Sequence, residues 1–548
     1  MSKCRDTVRV YIEDYDETIT ACRGDVLGPL LSSRGYLPLP CGGRGLCGLC
    51  KVRVEGEVSP PSGNEEIRGL SGDERLACQT RVLGDIRVKI LLKPVTLPRV
   101  SMYSINIEVK EPDPMFKPLS IERVYEFPAT VFLPSGIAKH FILFHSGEVY
   151  GTAGDPKKVL LVDLGTTKIA YQLISLSGEL LWEGVVANPL NAYGSDIITR
   201  IERVIENPSS LYEMRSKIVE EIGRVLDEGN AGIGFIAGNS VMEYLLLGLP
   251  VKTLAEKPFQ PIFKGPFKTF IHDRPVILAP LIAGYVGGDA YSELLASLKL
   301  GIEKPYVIID LGTNTEVVLV TDNGVYVTST PAGPAFEGYL SRGSAIYYGG
   351  ITRVRITGFS GEKPIFSIEY IGQPRGLLGT GVISLVAELY RNGLVDESGK
   401  FIRGYELVNG LKAFVISREN SVYFTQKDMR EFQKAYAAVK SALLMLLKRA
   451  GIDMHDITRV LVAGSFGSNI DARDLIDLGM IPINDPGKIV YGGNMVLTGL
   501  KVMVFEKKYY EVYRELIPRI KHVNLAEEPS YTDLWIGCLN IGSPTSSK

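Results

Sequence analysis

The chain has 548 residues, of which 45% are hydrophobic and 22% are charged, and its formal net charge is −2. This composition is typical of globular domains, and the length suggests about three or four of them. The charge balance offers no basic surface for nucleic acid, and no apolar run approaches the roughly 18 residues of a membrane span. The N-terminal residues lack the apolar core of a signal peptide. We therefore expect a soluble cytoplasmic protein without nucleic-acid or membrane partners.

Three of the seven cysteines lie within ten residues, in the stretch "CGGRGLCGLC". Cys41, Cys47 and Cys50 form this group, and Cys78 follows after 27 further residues. Zinc sites usually take their ligands as two separated close pairs, whereas a plant-type ferredoxin cluster takes three close cysteines and one distant cysteine. The spacing therefore predicts a [2Fe–2S] cluster on these four cysteines, similar to the adrenodoxin-like branch of ferredoxins. Zinc or free structural thiols remain the alternatives, and Cys4, Cys22 and Cys538 are expected to be buried or incidental thiols.

The residues around the cysteines have the pattern of a β-grasp domain. "VRVYI" (8–12), "KVRVEG" (51–56) and "DIRVKIL" (85–91) alternate as strands do, and "GDVLGPLLSSRG" is a candidate short helix. We assign residues 1–93 to a ferredoxin-like domain. Residues 94–157 begin with proline-rich sequence and are predicted to form a linker followed by a small strand-rich segment.

Two later stretches resemble each other. "VLLVDLGTTKIAYQLI" (159–174) and "YVIIDLGTNTEVVLV" (306–320) both place Asp-Leu-Gly-Thr between apolar strands. Such a turn directs backbone N–H groups and hydroxyls at a phosphate, and its aspartate can reach Mg²⁺ or an attacking water. We predict a duplicated α/β domain with a cleft between lobes 158–303 and 304–548. The alternative for Asp163 and Asp310 is a simple turn cap. The predicted phosphate-binding residues are Gly165, Thr166, Thr167, Gly312, Thr313 and Asn314.

Further glycine-rich segments follow in the second half of the chain. "RVLVAGSFGSNID" (459–471) is a buried strand leading into small residues, and we predict that Gly464, Phe466 and Gly467 face adenosine. The preceding residues 428–451 have helical periodicity and end on glycine. "GLLGTG" (376–381) precedes an apolar helix, and its glycines fit an anion site or a plain cap. Asp196 is a further catalytic candidate, or the cap of the helix that follows it.

The two turns and the later glycine segment resemble the actin, sugar-kinase and Hsp70 ATPase superfamily. A ferredoxin domain on such an ATPase resembles the reductive activators of corrinoid proteins. The resemblance extends over nearly the whole chain and includes "NPLNAYGSDIITRI" (188–201), "GNSVMEYLLLGLP" (238–250), "YVGGDA" (285–290), "AGPAFEG" (332–338), "LVDESGKF" (394–401) and "TQKDMREFQ" (425–433).

That resemblance implies an activity and a set of partners. It implies an ATP-hydrolysing enzyme that passes one electron from a [2Fe–2S] cluster to Co(II) of a corrinoid protein in a methyltransferase system, regenerating Co(I). ATP with Mg²⁺ and an upstream low-potential electron donor would be needed. The cobalt must belong to the partner, because the chain has no Asp-x-His-x-x-Gly motif for a lower ligand. The oligomeric state is open, a homodimer included.

The chain departs from the family pattern in two places. Too few residues separate the linker from the ATPase for a full middle domain, and Leu378 stands where a Gly-Cys-Gly run would place cysteine. Two other functions remain alternatives, namely a redox-gated nucleotide sensor and a small-molecule kinase of the same superfamily.

Overall fold

The structure is a computed structural model. It describes residues 6–32, 36–37, 39, 43, 45, 50–67, 70, 72–91, 107, 112–120, 123, 131–132, 138–194, 196–337, 340–344, 349–464, 470–506 and 515–542.

The described residues form an α/β protein. Its strands are β1 Thr7–Ile12, β2 Glu17–Cys22, β3 Lys51–Val58, β4 Glu74–Leu76, β5 Val82–Ile90, β6 Phe116–Leu119, β7 Val131–Phe132, β8 His140–Phe144, β9 Val149–Thr152, β10 Asp155–Leu164, β11 Lys168–Ser175, β12 Leu180–Ala187, β13 Ala231–Gly238, β14 Phe267–Ile271, β15 Arg274–Leu278, β16 Tyr306–Asp310, β17 Asn314–Thr321, β18 Gly324–Pro331, β19 Gly350–Ser360, β20 Lys363–Ile371, β21 Glu406–Val408, β22 Leu411–Ser417, β23 Val422–Thr425, β24 Arg459–Ala463, β25 Ile489–Gly493 and β26 Ile520–His522. Its helices are α1 Leu27–Ser32, α2 Gly63–Ile67, α3 Ile197–Glu206, α4 Ser209–Gly229, α5 Ser240–Leu247, α6 Lys252–Ala255, α7 Gly288–Lys299, α8 Gly379–Arg391, α9 Gln426–Ala450, α10 Ala472–Asp477, α11 Met495–Phe505 and α12 Tyr531–Gly537.

The N-terminal sheet has the β-grasp arrangement predicted from the sequence. Its strand order is β2-β1-β5-β3-β4, with β1 and β5 parallel and the other neighbours antiparallel. The alternating residues of β1 and β5 place one face in a core with Leu27 and Leu31 of helix α1. Helix α1 therefore covers the sheet beside the cysteine segment.

Two six-stranded sheets share a topology of five strands and differ in the sixth, which is β14 beside β15 in the first sheet and β26 beside β18 in the second. The first has the order β12-β11-β10-β13-β15-β14, and the second has the order β25-β24-β16-β17-β18-β26. In each sheet three antiparallel strands are followed by two strands parallel to the first of them. Strands β10 and β16 are therefore equivalent, and they are the strands that end at the two Asp-Leu-Gly-Thr turns. The duplication predicted from the sequence is confirmed.

The two lobes share a continuous apolar interior. A single cluster of buried residues includes Val159 and Ile233 of the first sheet and Ile308 and Leu461 of the second. Helices α7 and α11 cross tightly, since a Cβ on Gly499 would lie 1.7 Å from the carbonyl oxygen of Ser292. This crossing holds the carboxyl ends of the two central strands near one another.

Smaller elements complete the fold. Strands β6 to β9 form a four-stranded sheet within residues 116–152, and β19 with β20 and β21 to β23 form two more small sheets. Helix α9 begins with a capping box of Thr425 and Asp428 and ends at Gly451, whose φ is +68°. No helix in the described part of the chain is long and apolar enough to cross a membrane.

Candidate functional site

The described part of the cysteine site consists of Cys50 and Cys78. Both side chains are buried thiols that form no disulfide, and the Ala77 N–H donates to the Cys50 carbonyl at 2.9 Å, which places the two ligand segments side by side. Cys41 and Cys47 lie outside the described residues. Two adjacent buried thiols without a disulfide suit a cluster, because burial and sulfur ligands are what an iron–sulfur centre requires.

The loop that carries the first cysteines is tied to Cys78. The Gln79 Nε2 donates to the Gly43 carbonyl at 2.6 Å and lies 3.7 Å from the Cys78 Sγ. Gly43 has a φ of +82° and Gly45 a φ of +71°, conformations that glycine adopts without steric cost. Among the described residues no group of three or more His, Cys, Asp or Glu side chains is placed to hold a metal ion directly, and Cys41 and Cys47 of the predicted cluster lie outside those residues.

The remaining cysteines differ from one another. Cys538 is buried and free, whereas Cys22 is disulfide-bonded, so the expectation of a thiol at Cys22 was wrong. Cys4 lies outside the described residues. The cluster prediction does not depend on any of the three.

In the two lobes, Asp163 and Asp310 lie near the ends of the equivalent strands β10 and β16. Asn494, the cap of helix α11 in the second lobe, donates through Nδ2 to the Asp163 Oδ2 at 2.7 Å. Burial raises the pKa of Asp163, although the Asn494 hydrogen bond opposes the shift. The structure thus links the aspartate of the first turn to the opposite lobe.

A group of buried carboxylates surrounds these aspartates. Asp289 and Glu293 lie on helix α7, one helical turn apart, and Glu316 lies on strand β17. Burial raises the pKa of Asp289 to about 7, and repulsion from Asp310 and Asp163 acts in the same direction. The hydrogen bond from the Ala290 N–H opposes this shift. Burial and neighbouring carboxylates hold the pKa values of Glu293 and Glu316 well above their usual range.

Several polar atoms in this group have no partner within the described chain. Both carboxylate oxygens of Glu293, which is 1% exposed, lack a hydrogen-bond donor within the described chain, as does one oxygen of the buried Glu243. The Asn314 Nδ2, a donor, lacks an acceptor there. A buried polar atom without a partner costs roughly 1–3 kcal/mol. A buried carboxylate without a hydrogen-bond donor, such as that of Glu293, is suited to the vicinity of a cation, and the turn amide of Asn314 is suited to an anionic ligand.

The first turn is held by a set of side chains. The Asn239 Nδ2 donates to the Thr166 hydroxyl at 3.0 Å, and the buried Arg200 donates to the Thr166 carbonyl at 2.7 Å. The second turn contains Gly312 and Thr313, and the Gly333 N–H donates to the Thr313 carbonyl at 3.0 Å. Both predicted phosphate turns are therefore tight, and the first one has the more extensive side-chain support.

Gly464 lies directly against Asp310. Its φ is +94°, and a Cβ there would lie 2.5 Å from the Asp310 Oδ1. Only glycine allows this approach, so Gly464 contributes to the aspartate end of the site as well as to the predicted adenosine segment. Phe466 and Gly467 lie outside the described residues.

Two other predicted positions have structural partners. The Asp196 carboxylate accepts from the N–H and the hydroxyl of Thr199, both at 2.8 Å, and caps helix α3, which was the alternative stated for it. Leu378 is buried at the start of helix α8 and fills the place of the missing cysteine with an apolar side chain.

Sequence reasoning did not select Asp289, Glu293, Glu316 or Asn494. A signal was present for Glu316, because an acid within the apolar strand "TNTEVVLV" is unusual at a buried position. The two acids four residues apart in "GGDAYSELL" have the spacing of an ordinary polar helix face and gave no such signal. Asn494 carried no such signal, since asparagine before a helix is an ordinary cap.

Comparison with known proteins assigns three regions of the chain. The family model for a 2Fe-2S iron-sulfur cluster binding domain matches residues 10–83, that for the RACo middle region matches 159–299, and that for the C-terminal ASKHA domain of RACo matches 304–546. Together the two RACo models cover more than half of the chain. This chain belongs to the RACo family of reductive activators of corrinoid proteins. The region assigned from the sequence to the first lobe corresponds to the RACo middle region.

Individual relatives agree with the RACo assignment. The corrinoid activation enzyme RamQ of Eubacterium limosum is 27% identical over 96% of this chain and 98% of its own. The Co(II) methylated amine-specific corrinoid protein reductase of Methanosarcina barkeri is 24% identical, with 69% of this chain and 76% of the relative covered. The solved structure of a reductive activator for corrinoid, iron-sulfur protein has a TM-score of 0.69 at 24% identity and covers 98% of both chains, which shows the same fold.

Proposed function

We propose that this chain is an ATP-dependent reductive activator that transfers one electron from a [2Fe–2S] cluster to Co(II) of a corrinoid protein. The observation that carries the proposal is the union, in one chain, of a β-grasp domain with two buried cysteine thiols on adjacent segments and two equivalent turns beside buried carboxylates. The first supplies a one-electron centre, and the second supplies a nucleotide site.

In the ferredoxin domain, Cys41, Cys47, Cys50 and Cys78 would hold the cluster. A bound cluster supplies one electron at a time. The chain supplies burial of Cys50 and Cys78 and an amide from Gln79 near the Cys78 sulfur. Hydrogen bonds to ligand sulfurs and burial are the levers that tune a cluster's potential.

In the cleft, each lobe would hold part of Mg²⁺-ATP. The proposed phosphate-binding residues are Gly165, Thr166, Thr167, Gly312, Thr313 and Asn314. Asp163, Asp310 and Asp289 are proposed to bind Mg²⁺ through its waters, because the charges of Asp163 in one lobe and Asp310 in the other both raise the pKa of Asp289. Gly464, Phe466 and Gly467 would lie against adenosine. Asp196 is proposed only as a positioning residue for helix α3.

An energetic argument explains why both parts are needed. Plant-type [2Fe–2S] clusters have reduction potentials of about −400 mV. Transfer of one electron to a Co(II) centre that is about 100 mV harder to reduce would require ~2.3 kcal/mol. Because about 59 mV corresponds to a tenfold change in the equilibrium constant, unaided transfer would leave only a few per cent of the cobalt reduced. Closure of the lobes around nucleotide can favour one docked state of the partner and shift this equilibrium.

The wider organisation belongs to the same proposal. We propose a ferredoxin-like domain 1–93, a linker with a small segment 94–157, and lobes 158–303 and 304–548. The corrinoid protein of a methyltransferase system and a low-potential electron donor are the proposed partners.

The decisive measurement is the Co(I) absorbance band during anaerobic incubation with reductant, a Co(II) corrinoid protein and Mg²⁺-ATP. We expect Co(I) to form only with the complete mixture. Cys50→Ala should abolish Co(I) formation and lower the iron content while ATP hydrolysis persists, and Cys538→Ala, which changes a buried free thiol outside the ferredoxin domain, should do neither. Equal Co(I) formation without nucleotide would contradict ATP dependence, and a phosphorylated small-molecule product would favour a kinase.

A further inference from the structure

A segment of the first lobe, residues 188–194, lies against the lobe I phosphate turn. The Asn188 N–H and the Asn191 Nδ2 both donate to the Thr167 carbonyl at 2.9 Å, and the Asn188 Nδ2 donates to the Gly165 carbonyl at 2.7 Å. Within the segment, Pro189–Ala192 forms a single 3-10 turn. The carbonyl side of the phosphate turn is therefore fixed by this segment, which leaves its N–H side for a ligand.

Arg200 fastens the same two elements together. This arginine is fully buried, and its Nη2 donates to the Thr166 carbonyl at 2.7 Å, the Asn191 Oδ1 at 3.3 Å and the Gly194 carbonyl at 3.0 Å. One guanidinium therefore bridges the phosphate turn to the middle and the C-terminal end of segment 188–194. A shift of the turn on nucleotide binding must move segment 188–194 or break these bonds.

The opposite side of the segment contacts the ferredoxin domain. Helix α1 approaches the 3-10 turn Pro189–Ala192 with Cα atoms within 8 Å. The same helix is bonded to the strand end that carries a predicted cluster ligand, since the Gly28 N–H donates to the Ala77 carbonyl at 2.7 Å. A Cβ on Gly28 would lie 2.7 Å from the Cys78 Cα. Helix α1 thus lies in direct backbone contact with the cluster site.

We infer that segment 188–194 couples the nucleotide turn to the cluster, with Asn191 and Arg200 as positioning residues. The inference rests on the proposed function and specifies how the nucleotide site regulates the redox site. The path is continuous: phosphate turn, Arg200 and Asn191, the 3-10 turn, helix α1, and Cys78. Coupling between two sites is reciprocal, so the redox state of the cluster must change nucleotide affinity by the same factor by which nucleotide changes the redox equilibrium.

The first experiment uses the full-length, cluster-loaded protein without a corrinoid partner. The affinity for ADP and for a non-hydrolysable ATP analogue is measured by equilibrium dialysis with the cluster oxidised and with the cluster reduced. We expect at least one nucleotide to bind with affinities that differ by about fivefold or more, the lower end of typical coupling. The EPR g-values of the reduced cluster should also change on saturation with that nucleotide.

The second experiment removes the route. Asn191→Ala should reduce the affinity ratio measured by dialysis to less than about twofold, and it should suppress the EPR change seen at saturating nucleotide. Asn392→Ala is the matched control, because Asn392 also donates through Nδ2 to a carbonyl at 2.9 Å but lies in the other lobe, at the end of helix α8. The control should keep the full ratio.

A third variant tests the far end and does not depend on the folding of Asn191→Ala. Gly28→Ala should press helix α1 away from Cys78, and it should change the EPR spectrum without nucleotide and reduce the affinity ratio. An intact ratio in Gly28→Ala, or in folded Asn191→Ala, would overturn the proposed route. Nucleotide binding that is identical in both redox states would overturn the coupling while leaving the proposed function standing, and an absence of nucleotide binding would overturn both.

Discussion

The ferredoxin domain and the cleft between the lobes each bury a glutamate almost completely, and they do so by opposite means. Glu65 is 1% exposed and receives bonds from Arg75 Nε at 3.0 Å, from the Leu76 N–H at 2.7 Å and from the Ser62 N–H at 2.6 Å. Burial alone raises the pKa of Glu65, but these hydrogen bonds outweigh it and lower the pKa below its usual value. Glu293 is equally buried, yet its oxygens have no donor within the described chain, and its pKa is raised well above the usual value.

The difference separates a structural role from a ligand-dependent one. The charge of Glu65 is compensated inside the domain, where it holds the strand end that leads to Cys78. The charge of Glu293 has no such compensation, so a proton or a bound cation must supply it. The folded ferredoxin domain thus compensates the charge of Glu65 with its own groups, whereas the charge of Glu293 in the cleft must be compensated by a proton or a bound cation.

The largest expected effect comes from removing a cleft aspartate. Asp310→Ala should lower ATP turnover about a thousandfold, ~4 kcal/mol, because it removes a proposed Mg²⁺ or water ligand. Iron content and the EPR spectrum should stay unchanged, which a phosphate-release assay and metal analysis would check. Unchanged turnover in both Asp310→Ala and Asp163→Ala would show that the site lies elsewhere.

Glu65→Gln tests the other side of the comparison. Breaking a buried ion pair from one side costs about 3–5 kcal/mol, because Arg75 is left without its carboxylate. The urea midpoint for loss of the cluster's visible absorbance should fall, and the unfolding of the lobes should not change. Both tryptophans, Trp182 and Trp535, lie outside the ferredoxin domain, so their fluorescence reports the lobes separately.

Glu65 and Glu293 also differ in how their contributions to stability depend on pH. Because the folded-state pKa of Glu65 is lowered, its contribution to stability is present above about pH 4.3, the pKa of glutamate in the unfolded chain, and is lost as the pH falls below that value. We expect the cluster-absorbance midpoint to fall on acidification in the wild type and to respond less in Glu65→Gln. An equal response in both proteins would show that Glu65 does not carry this contribution.

Glu293→Gln should change the free energy of unfolding by less than Glu65→Gln does, and in the opposite direction. Because the folded pKa is raised, the contribution of Glu293 is present below about pH 4.3 and is lost as the pH rises through the folded value. In EDTA at pH 8 the variant should be about 1–3 kcal/mol more stable than the wild type, judged by tryptophan fluorescence in urea. A less stable variant at pH 8 would show that Glu293 has a compensating partner in the chain.

The smallest effect concerns the bond between the lobes. Asn494→Asp keeps the oxygen that caps helix α11 but replaces the donor to Asp163 with a like charge. ATP turnover should fall about tenfold, ~1.4 kcal/mol, with an increase in KM for Mg²⁺-ATP. Asn420→Asp is the control, since Asn420 donates only to the Ser417 hydroxyl in a turn between β22 and β23. An equal loss in the two variants would argue against a specific role for Asn494.

Local sequence was sufficient for several elements. The helical periodicity of residues 428–451 and the glycine at 451 predicted helix α9, and the two Asp-Leu-Gly-Thr turns predicted two related lobes, because periodicity, caps and turn residues act within a few residues. The roles assigned to the four cysteines and to the turn residues stay predictions.

Tertiary structure decided which charged side chains meet. Asp289 and Glu293 read as the polar face of an ordinary helix, and only the crossing of α7 with α11 buries them beside Asp310. Arg200 lies 34 residues from Thr166, and Asn494 lies 331 residues from Asp163, so no local pattern indicates either contact. Sequence periodicity records whether a residue is polar, but the charge that faces it depends on strand order and helix packing, which only the folded chain establishes.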